Sequence, residues 1–250
     1  MRPSCDFVSF VVYGVFMPIA ENISALEEQI AVAAKPAGRR REDIVLMAVT
    51  KTHPPESIRE AYDAGLRLFG ENRVQEFAGK AGALAGLAGA EWHMIGHLQT
   101  NKAAKAAELF GAVDSVDSLK LAEKLDAAAR VLGKKLDVLI EVNVGGEAAK
   151  SGVAPDSQGL EDLLLAAPRL EALSFRGLMT VPPHTEDPEG ARPFFRLLRG
   201  LRDTIAQRKL AAVSMDTLSM GMSHDFEVAI EEGSTCVRVG TAIFGERGTN

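Results

Sequence analysis

The sequence has little of what marks a secreted protein or one built to bind nucleic acid. Its 250 residues include only two cysteines, Cys5 and Cys236, too few for a disulfide framework and without a metal-ligand spacing. The formal net charge is −6, so the overall charge does not attract nucleic acid or an anionic membrane. We therefore expect a protein of the reducing cytosol with no nucleic-acid or membrane partner.

Long hydrophobic runs are also missing. The apolar run from Phe7 to Phe16 is ten residues long, whereas a bilayer span needs about 20. With Arg2 before it and Ala20 after it, the run has the shape of a secretory signal, and a segment that docks on the fold is a third possibility. We interpret residues 1–16 as an inessential or non-native extension and residues 17–250 as one domain.

The rest of the chain alternates between apolar, β-branched runs and helical patterns rich in Ala, Leu, Glu and Lys. The predicted strands are Ile44–Val49, Leu66–Phe69, Glu91–Ile95, Ala112–Ser115, Asp137–Val144, Leu173–Met179, Ser214–Leu218 and Thr235–Val239. The first predicted helix is Ile19–Ala34, and helical patterns lie between the strands, such as Pro55–Ala64, Leu119–Leu132, Gly159–Ala166, Pro193–Gln207 and Asp225–Glu232. Parallel strands need such crossover helices, and eight strands close a (β/α)8 TIM barrel. An open, doubly wound sheet is the alternative.

Polar residues follow the predicted strands at the end of a barrel where chemistry gathers. These residues are Lys51, Asn72, His97, Asp117, Asn143, Thr180, Ser219 and Arg238, with Gly240 and Thr241 directly after the last strand. Strand ends also turn polar simply because they reach solvent, and this accounts for part of the set.

The strongest cluster lies after strands seven and eight, which read LSMGMS from Leu218 to Ser223 and RVGTAIFG from Arg238 to Gly245. Small residues let the backbone approach an anion, and hydroxyl and free N–H groups donate to it. The loops after these two strands form the phosphate site of many barrels. We expect a small phosphorylated ligand, although Gly221 and Gly240 could serve tight turns alone.

Lys51 ends the first strand after a run of apolar and small residues, VLMAVTK. Its side chain would rise from the barrel interior into the mouth, where a lower dielectric favours the uncharged amine needed for Schiff-base chemistry. A surface lysine is the competing interpretation.

Two other motifs are weak. The GGEAAKS segment lacks the glycine that precedes a P-loop lysine, and His93 and His97 have no further metal ligand beside them.

Ordered motifs carry a family resemblance. They read AVTKTHP from Ala48, FGENRVQE from Phe69, WHMIGHLQTNK from Trp92, VDS from Val116, EVNVGGEAAKSG from Glu141, GLMTVPP from Gly177, LSMGMSHDFEVAI from Leu218 and VRVGTAIFGER from Val237. Together they resemble the YggS/PROSC family of pyridoxal 5′-phosphate (PLP) homeostasis proteins, from Met17 to Arg247.

The resemblance implies a barrel of the alanine-racemase type, fold type III among PLP proteins, with PLP on Lys51. It implies phosphate contacts from Ser219, Met220, Ser223, Gly240 and Thr241, with Arg238 facing the pyridine nitrogen and Asn72 near the ring. His97 and Asn143 are weaker assignments, chosen for their place at the barrel mouth.

The resemblance further implies a monomeric carrier or buffer of PLP in the cytoplasm, without substantial catalysis, whose partners would be PLP and PLP-dependent apo-enzymes. A weak amino-acid racemase is the alternative, although no second domain follows and the only tyrosines are Tyr13 and Tyr62. A Schiff-base aldolase without PLP is a third class.

Overall fold

A computed structural model describes residues 18–147 and 150–245. The predicted extension, residues 1–16, lies outside the described residues. None of the helices within the described ranges is both long and apolar enough to cross a membrane.

Eight parallel strands close a barrel, since β1 pairs with both β2 and β8. The predicted (β/α)8 architecture is confirmed, and the open sheet is excluded because no edge strand remains. The strands are β1 Val45–Val49, β2 Leu68–Glu71, β3 Glu91–Met94, β4 Ala112–Val116, β5 Leu136–Glu141, β6 Leu173–Met179, β7 Val213–Met222 and β8 Cys236–Val239.

Amphipathic helices cover the outside of the barrel. In α1 the residues Ile23, Leu26 and Ile30 recur at helical spacing, and all three are buried. The predicted bounds of this helix, Ile19–Ala34, are confirmed. The helices are α1 Ile19–Ala34, α2 Pro55–Asp63, α3 Val74–Leu84, α4 Ala103–Leu109, α5 Leu119–Val131, α6 Gln158–Ala166, α7 Arg192–Gln207, α8 Phe226–Glu231 and α9 Thr241–Phe244.

The carboxyl ends of five strands differ from the prediction, those of β2, β3 and β4 by one or two residues and those of β5 and β7 by three and four. The two larger differences matter for the barrel mouth. β7 continues four residues past Leu218. Within this part Gly221 has a left-handed φ of +96°, and an added Cβ there would lie 2.6 Å from the Ala229 side chain, so the strand packs closely against α8. β5 ends at Glu141 and not at Val144. The chain there turns back, so that Val153 donates its N–H to the Glu141 carbonyl at 2.9 Å.

Candidate functional site

A cavity of about 580 Å³ opens at the carboxyl ends of the strands. It is lined by most of the predicted site residues, namely Lys51, Asn72, His97, Ser223, Arg238, Gly240 and Thr241. Residues of β1, β5, β7 and β8 and of the loops that follow β1, β2 and β3 meet there, because the carboxyl ends of parallel strands gather on one side of the barrel.

Lys51 lies in a tight turn that follows β1. The Thr50 N–H donates to the Gly70 carbonyl at 3.0 Å, and the His53 N–H closes the turn on the Thr50 carbonyl at 3.2 Å. Within the described chain the Lys51 amine has no hydrogen bond or ion pair, whereas Lys150 at the same cavity pairs with Glu147 and donates to the Pro182 carbonyl at 3.3 Å. Lys51 is thus the lysine of this cavity whose amine is available.

Ser223, Gly240 and Thr241 form a cluster of polar groups beside the end of β1, since β8 pairs with β1 and Gly240 packs against Val49. Asp225 accepts the Met222 N–H at 2.6 Å and so fixes the turn that carries Ser223. The Ser223 Oγ accepts the N–H groups of Gly240 at 3.3 Å and Ala242 at 3.5 Å. Because the oxygen accepts these bonds, the hydroxyl proton can point to an anion in the cavity.

Arg238 supplies a buried positive charge at the cavity floor. Its residue is 4% exposed, and its guanidinium donates to the Ser219 Oγ and to the Thr180 carbonyl, both at 2.7 Å. No carboxylate of the described chain forms an ion pair with it. Burial lowers the pKa of Arg238, yet an arginine stays charged at any working pH. The guanidinium has five N–H groups, so those that do not contact Ser219 or Thr180 can donate to an acceptor inside the cavity.

Glu141 and the pair of His97 and Asp117 complete the polar wall. His97 Nδ1 lies 3.1 Å from Asp117 Oδ2, with the histidine side chain largely exposed. Burial raises the pKa of Glu141, and the charge of Asp117 raises it further. One Glu141 carboxyl oxygen, Oε2, is buried without a hydrogen-bond partner within the described structure.

Three predicted site residues do not line the cavity. Ser219 and Met220 are fully buried within β7, because that strand extends beyond its predicted end, and Ser219 contacts Arg238 instead. Asn143 lies past the end of β5 and donates to the Glu147 carbonyl at 2.9 Å, which directs its amide into the loop. As ligand contacts these three assignments stay predictions, although none of the three side chains lines the cavity.

The sequence pattern missed several lining residues, including Glu141, Lys150, His53 and His224. Glu141 was hidden because the apolar run of β5 continues past it, so its place at a strand end had no local signal. Lys150 belongs to the GGEAAKS segment, which resembles a phosphate-binding P-loop only superficially. That resemblance did not predict its place at this cavity.

His93 on β3 and Asp114 on β4 form a pair inside the barrel wall. The His93 Nδ1 lies 3.1 and 3.2 Å from the two Asp114 carboxyl oxygens. Burial by itself would lower the pKa of His93, but the Asp114 carboxylate outweighs it and holds the pKa above its ordinary 6.5. The Asp114 carboxylate thus pairs with His93, and its charge also raises the pKa of Arg238 although the two side chains form no ion pair.

The stability that this pair contributes should depend on pH. Because the pKa of His93 is raised by folding, the contribution is fully present below about pH 6.5 and is lost as the pH rises through the folded pKa. Urea unfolding of wild type and His93→Gln should show the larger difference in unfolding free energy at about pH 6 and a smaller one at about pH 8.5. The exposed His184→Gln is the control, and an equal His93→Gln penalty at both pH values would contradict the assignment.

Comparison with known proteins adds three findings. Residues 22–248 match the family model described as alanine racemase, N-terminal domain. The chain is 49% identical over 232 residues to the pyridoxal phosphate homeostasis protein of Aquifex aeolicus, covering 92% of this chain and 99% of the relative. PipY of Synechococcus elongatus, solved with PLP bound, is 37% identical with a TM-score of 0.77, covering 91% of this chain and 100% of PipY.

More distant structures share the fold alone. The alanine racemase of Streptomyces coelicolor is 21% identical with a TM-score of 0.65, and the match covers 90% of this chain but 59% of the racemase. The racemase thus contains a large part with no counterpart in this match.

Proposed function

The chain belongs to the family of pyridoxal phosphate homeostasis proteins, and from this premise we propose that it binds pyridoxal 5′-phosphate on Lys51 and holds it in reserve without substantial turnover. The observation that carries the proposal is the shared cavity. An available amine, a cluster of hydroxyl and N–H donors, and a buried guanidinium without a carboxylate partner all face it. Together they match an aldehyde, a phosphate and a ring nitrogen.

Lys51 would supply the covalent link. Its amine would hold the cofactor by condensing with the aldehyde, with release of water. The bound cofactor stabilises negative charge at the α-carbon of amino acids when its ring nitrogen is protonated. Ser223, Gly240 and Thr241 would hold the phosphate by hydrogen bonds to a charged group, which are the stronger kind. Asn72, half-buried beside the cavity, would contact the ring.

Arg238 supports a carrier over an enzyme. A guanidinium has donors only, so the ring nitrogen facing it would accept a hydrogen bond and stay unprotonated. Tyr62 cannot act as an opposing base, since it lies in α2 and its hydroxyl donates to the Ala88 carbonyl at 2.8 Å, away from the cavity. Tyr13 lies outside the described residues.

A weak amino-acid racemase is the second candidate, and the pair of His97 and Asp117 is the observation that favours it. An imidazole held by a carboxylate at the cavity is a plausible general base. Proton exchange at the α-carbon distinguishes the two candidates and is treated in the Discussion.

We also propose a monomeric, cytoplasmic protein whose partners are apo-enzymes that receive PLP. The small number of cysteines and the acidic charge support this placement. Transfer of isotope-labelled PLP to a panel of apo-enzymes would test the partner assignment, and size-exclusion chromatography with light scattering would test the oligomeric state.

Lys51 should carry the adduct in the wild-type protein. PLP-loaded protein is reduced with borohydride, digested and mapped by mass spectrometry, and we expect the modification mainly on the Lys51 peptide, because the Lys150 amine is paired. Lys102→Ala, in the short 3₁₀ turn before α4, is the control and should change neither the site nor the yield. A modification found mainly on Lys102 or Lys150 would refute the assignment.

A further inference from the structure

A buried ion-pair cluster lies directly behind the turn that carries Lys51. Lys80 of α3 is 8% exposed and its ammonium lies 2.7 Å from Glu71 Oε1 and 3.3 Å from Glu76 Oε1. Glu71, at the end of β2, is completely buried. Burial raises the pKa of Glu71, while its bonds from Lys80 and Thr50 oppose that rise.

The same ammonium holds the backbone on both sides of Lys51. Lys80 Nζ donates to the Thr50 carbonyl at 2.9 Å and to the His53 carbonyl at 3.4 Å. Glu76 accepts the Thr52 N–H. Three of the four residues in the Thr50–His53 turn are thus tied to α3, whereas the Lys51 side chain is left exposed and without a partner in the described chain.

The turn also has a conformation that needs such support. Thr52 has a φ of +64°, in the left-handed region that β-branched residues rarely adopt. Such a residue persists only where its surroundings over-determine it, and it is commonest at functional sites. Lys80 and Glu76 supply these surroundings from a neighbouring helix.

We propose that Lys80, acting with Glu71 and Glu76, is a positioning residue that fixes the Thr50–His53 turn and thereby directs the Lys51 amine toward the aldehyde of its ligand. The inference rests on the proposed function. It predicts that two properties of ligand binding respond differently. Covalent capture of the aldehyde depends on where the Lys51 amine lies, whereas noncovalent binding of the ring and phosphate depends on the donor cluster and on Arg238. A small misplacement of a reacting group can slow a step by about a hundredfold.

The test compares PLP with pyridoxine 5′-phosphate, which keeps the ring and phosphate but has no aldehyde. Lys80→Met should slow formation of the borohydride-reducible adduct by about tenfold or more, and pyridoxine 5′-phosphate should still bind within about threefold of wild type. Lys105→Met, an exposed lysine paired with Glu108 on α4, is the matched control and should behave as wild type.

Lys80→Met leaves Glu71 buried without its cation and could prevent folding. Glu76→Ala and Thr52→Gly avoid this, since they keep the pair of Lys80 and Glu71. They loosen the turn at its more exposed side and should slow capture by about threefold to tenfold with unchanged binding of pyridoxine 5′-phosphate. Capture at the wild-type rate in both variants overturns the proposal, as does a parallel loss of both properties. Failure of wild type to form any adduct would instead refute the proposed function.

Discussion

Pyridoxal should bind this protein at least about a hundredfold more weakly than pyridoxal 5′-phosphate. A hydrogen bond to a charged group contributes about 1.5–3 kcal/mol, and a factor of ten in affinity corresponds to about 1.4 kcal/mol. Ser223 and Thr241 alone offer two such bonds, and the Gly240 backbone lies beside them. Loss of the phosphate removes these contacts together, while the covalent link to Lys51 remains possible.

Each single substitution in the phosphate-binding cluster should cause part of this loss of affinity. We expect Thr241→Ala to weaken retention of PLP by about tenfold or more, since one side-chain bond to the phosphate is lost. Thr204→Ala on α7 is the matched control, because that hydroxyl donates to the Gly200 carbonyl within its own helix. Retention is measured as the rate at which an excess of apo-enzyme removes PLP. Equal retention of pyridoxal and PLP would show that the donor cluster is not the phosphate site.

The fold was largely predictable because its signals are local. β6 and α1 have the predicted bounds. β6 is followed closely by Pro182 and Pro183, and α1 shows the helical spacing of Ile23, Leu26 and Ile30, so each signal lies within its own segment. The helices α3 and α4 were expected between strands, but the sequence pattern assigned them no bounds. Their residues, VQEFAGKAGAL and AAKAAEL, are rich in Ala and Gly, so that they carry a weak apolar periodicity.

The site was predictable only as far as each residue's place follows from its own strand. Lys51, Asn72 and Arg238 line the cavity as the strand-end argument expects. Ser219 does not, because the length of β7 depends on how closely Gly221 packs against α8. Lys80 could not be found in this way, since a lone lysine indicates a solvated surface and its partner Glu71 lies nine positions earlier on another element.

We expect the wild-type protein, loaded with PLP, to catalyse almost no exchange of the α-proton of alanine. Exchange of L- and D-alanine in deuterated buffer, followed by NMR, should stay close to that of free PLP at the same concentration. A general base positioned at the α-carbon contributes about 10²–10⁴-fold. The tyrosine that lies within the described chain, Tyr62, is on the outside of the barrel, so this factor should be missing on at least one face of the substrate.

Arg238 gives the second reason, and it can be tested separately. An unprotonated ring that accepts a hydrogen bond from a guanidinium withdraws electrons poorly, so an acidic group at position 238 should allow some exchange. We expect a small gain for Arg238→Glu if the variant retains PLP, and none for the exposed Arg176→Glu. Arg238→Glu also removes the donors to Ser219 and Thr180 and buries a carboxylate, so folding and PLP content must be verified first. The wild-type measurement does not depend on that variant. Rapid exchange by wild type that is lost in His97→Gln would identify the histidine pair as a base, and the carrier assignment would then be wrong.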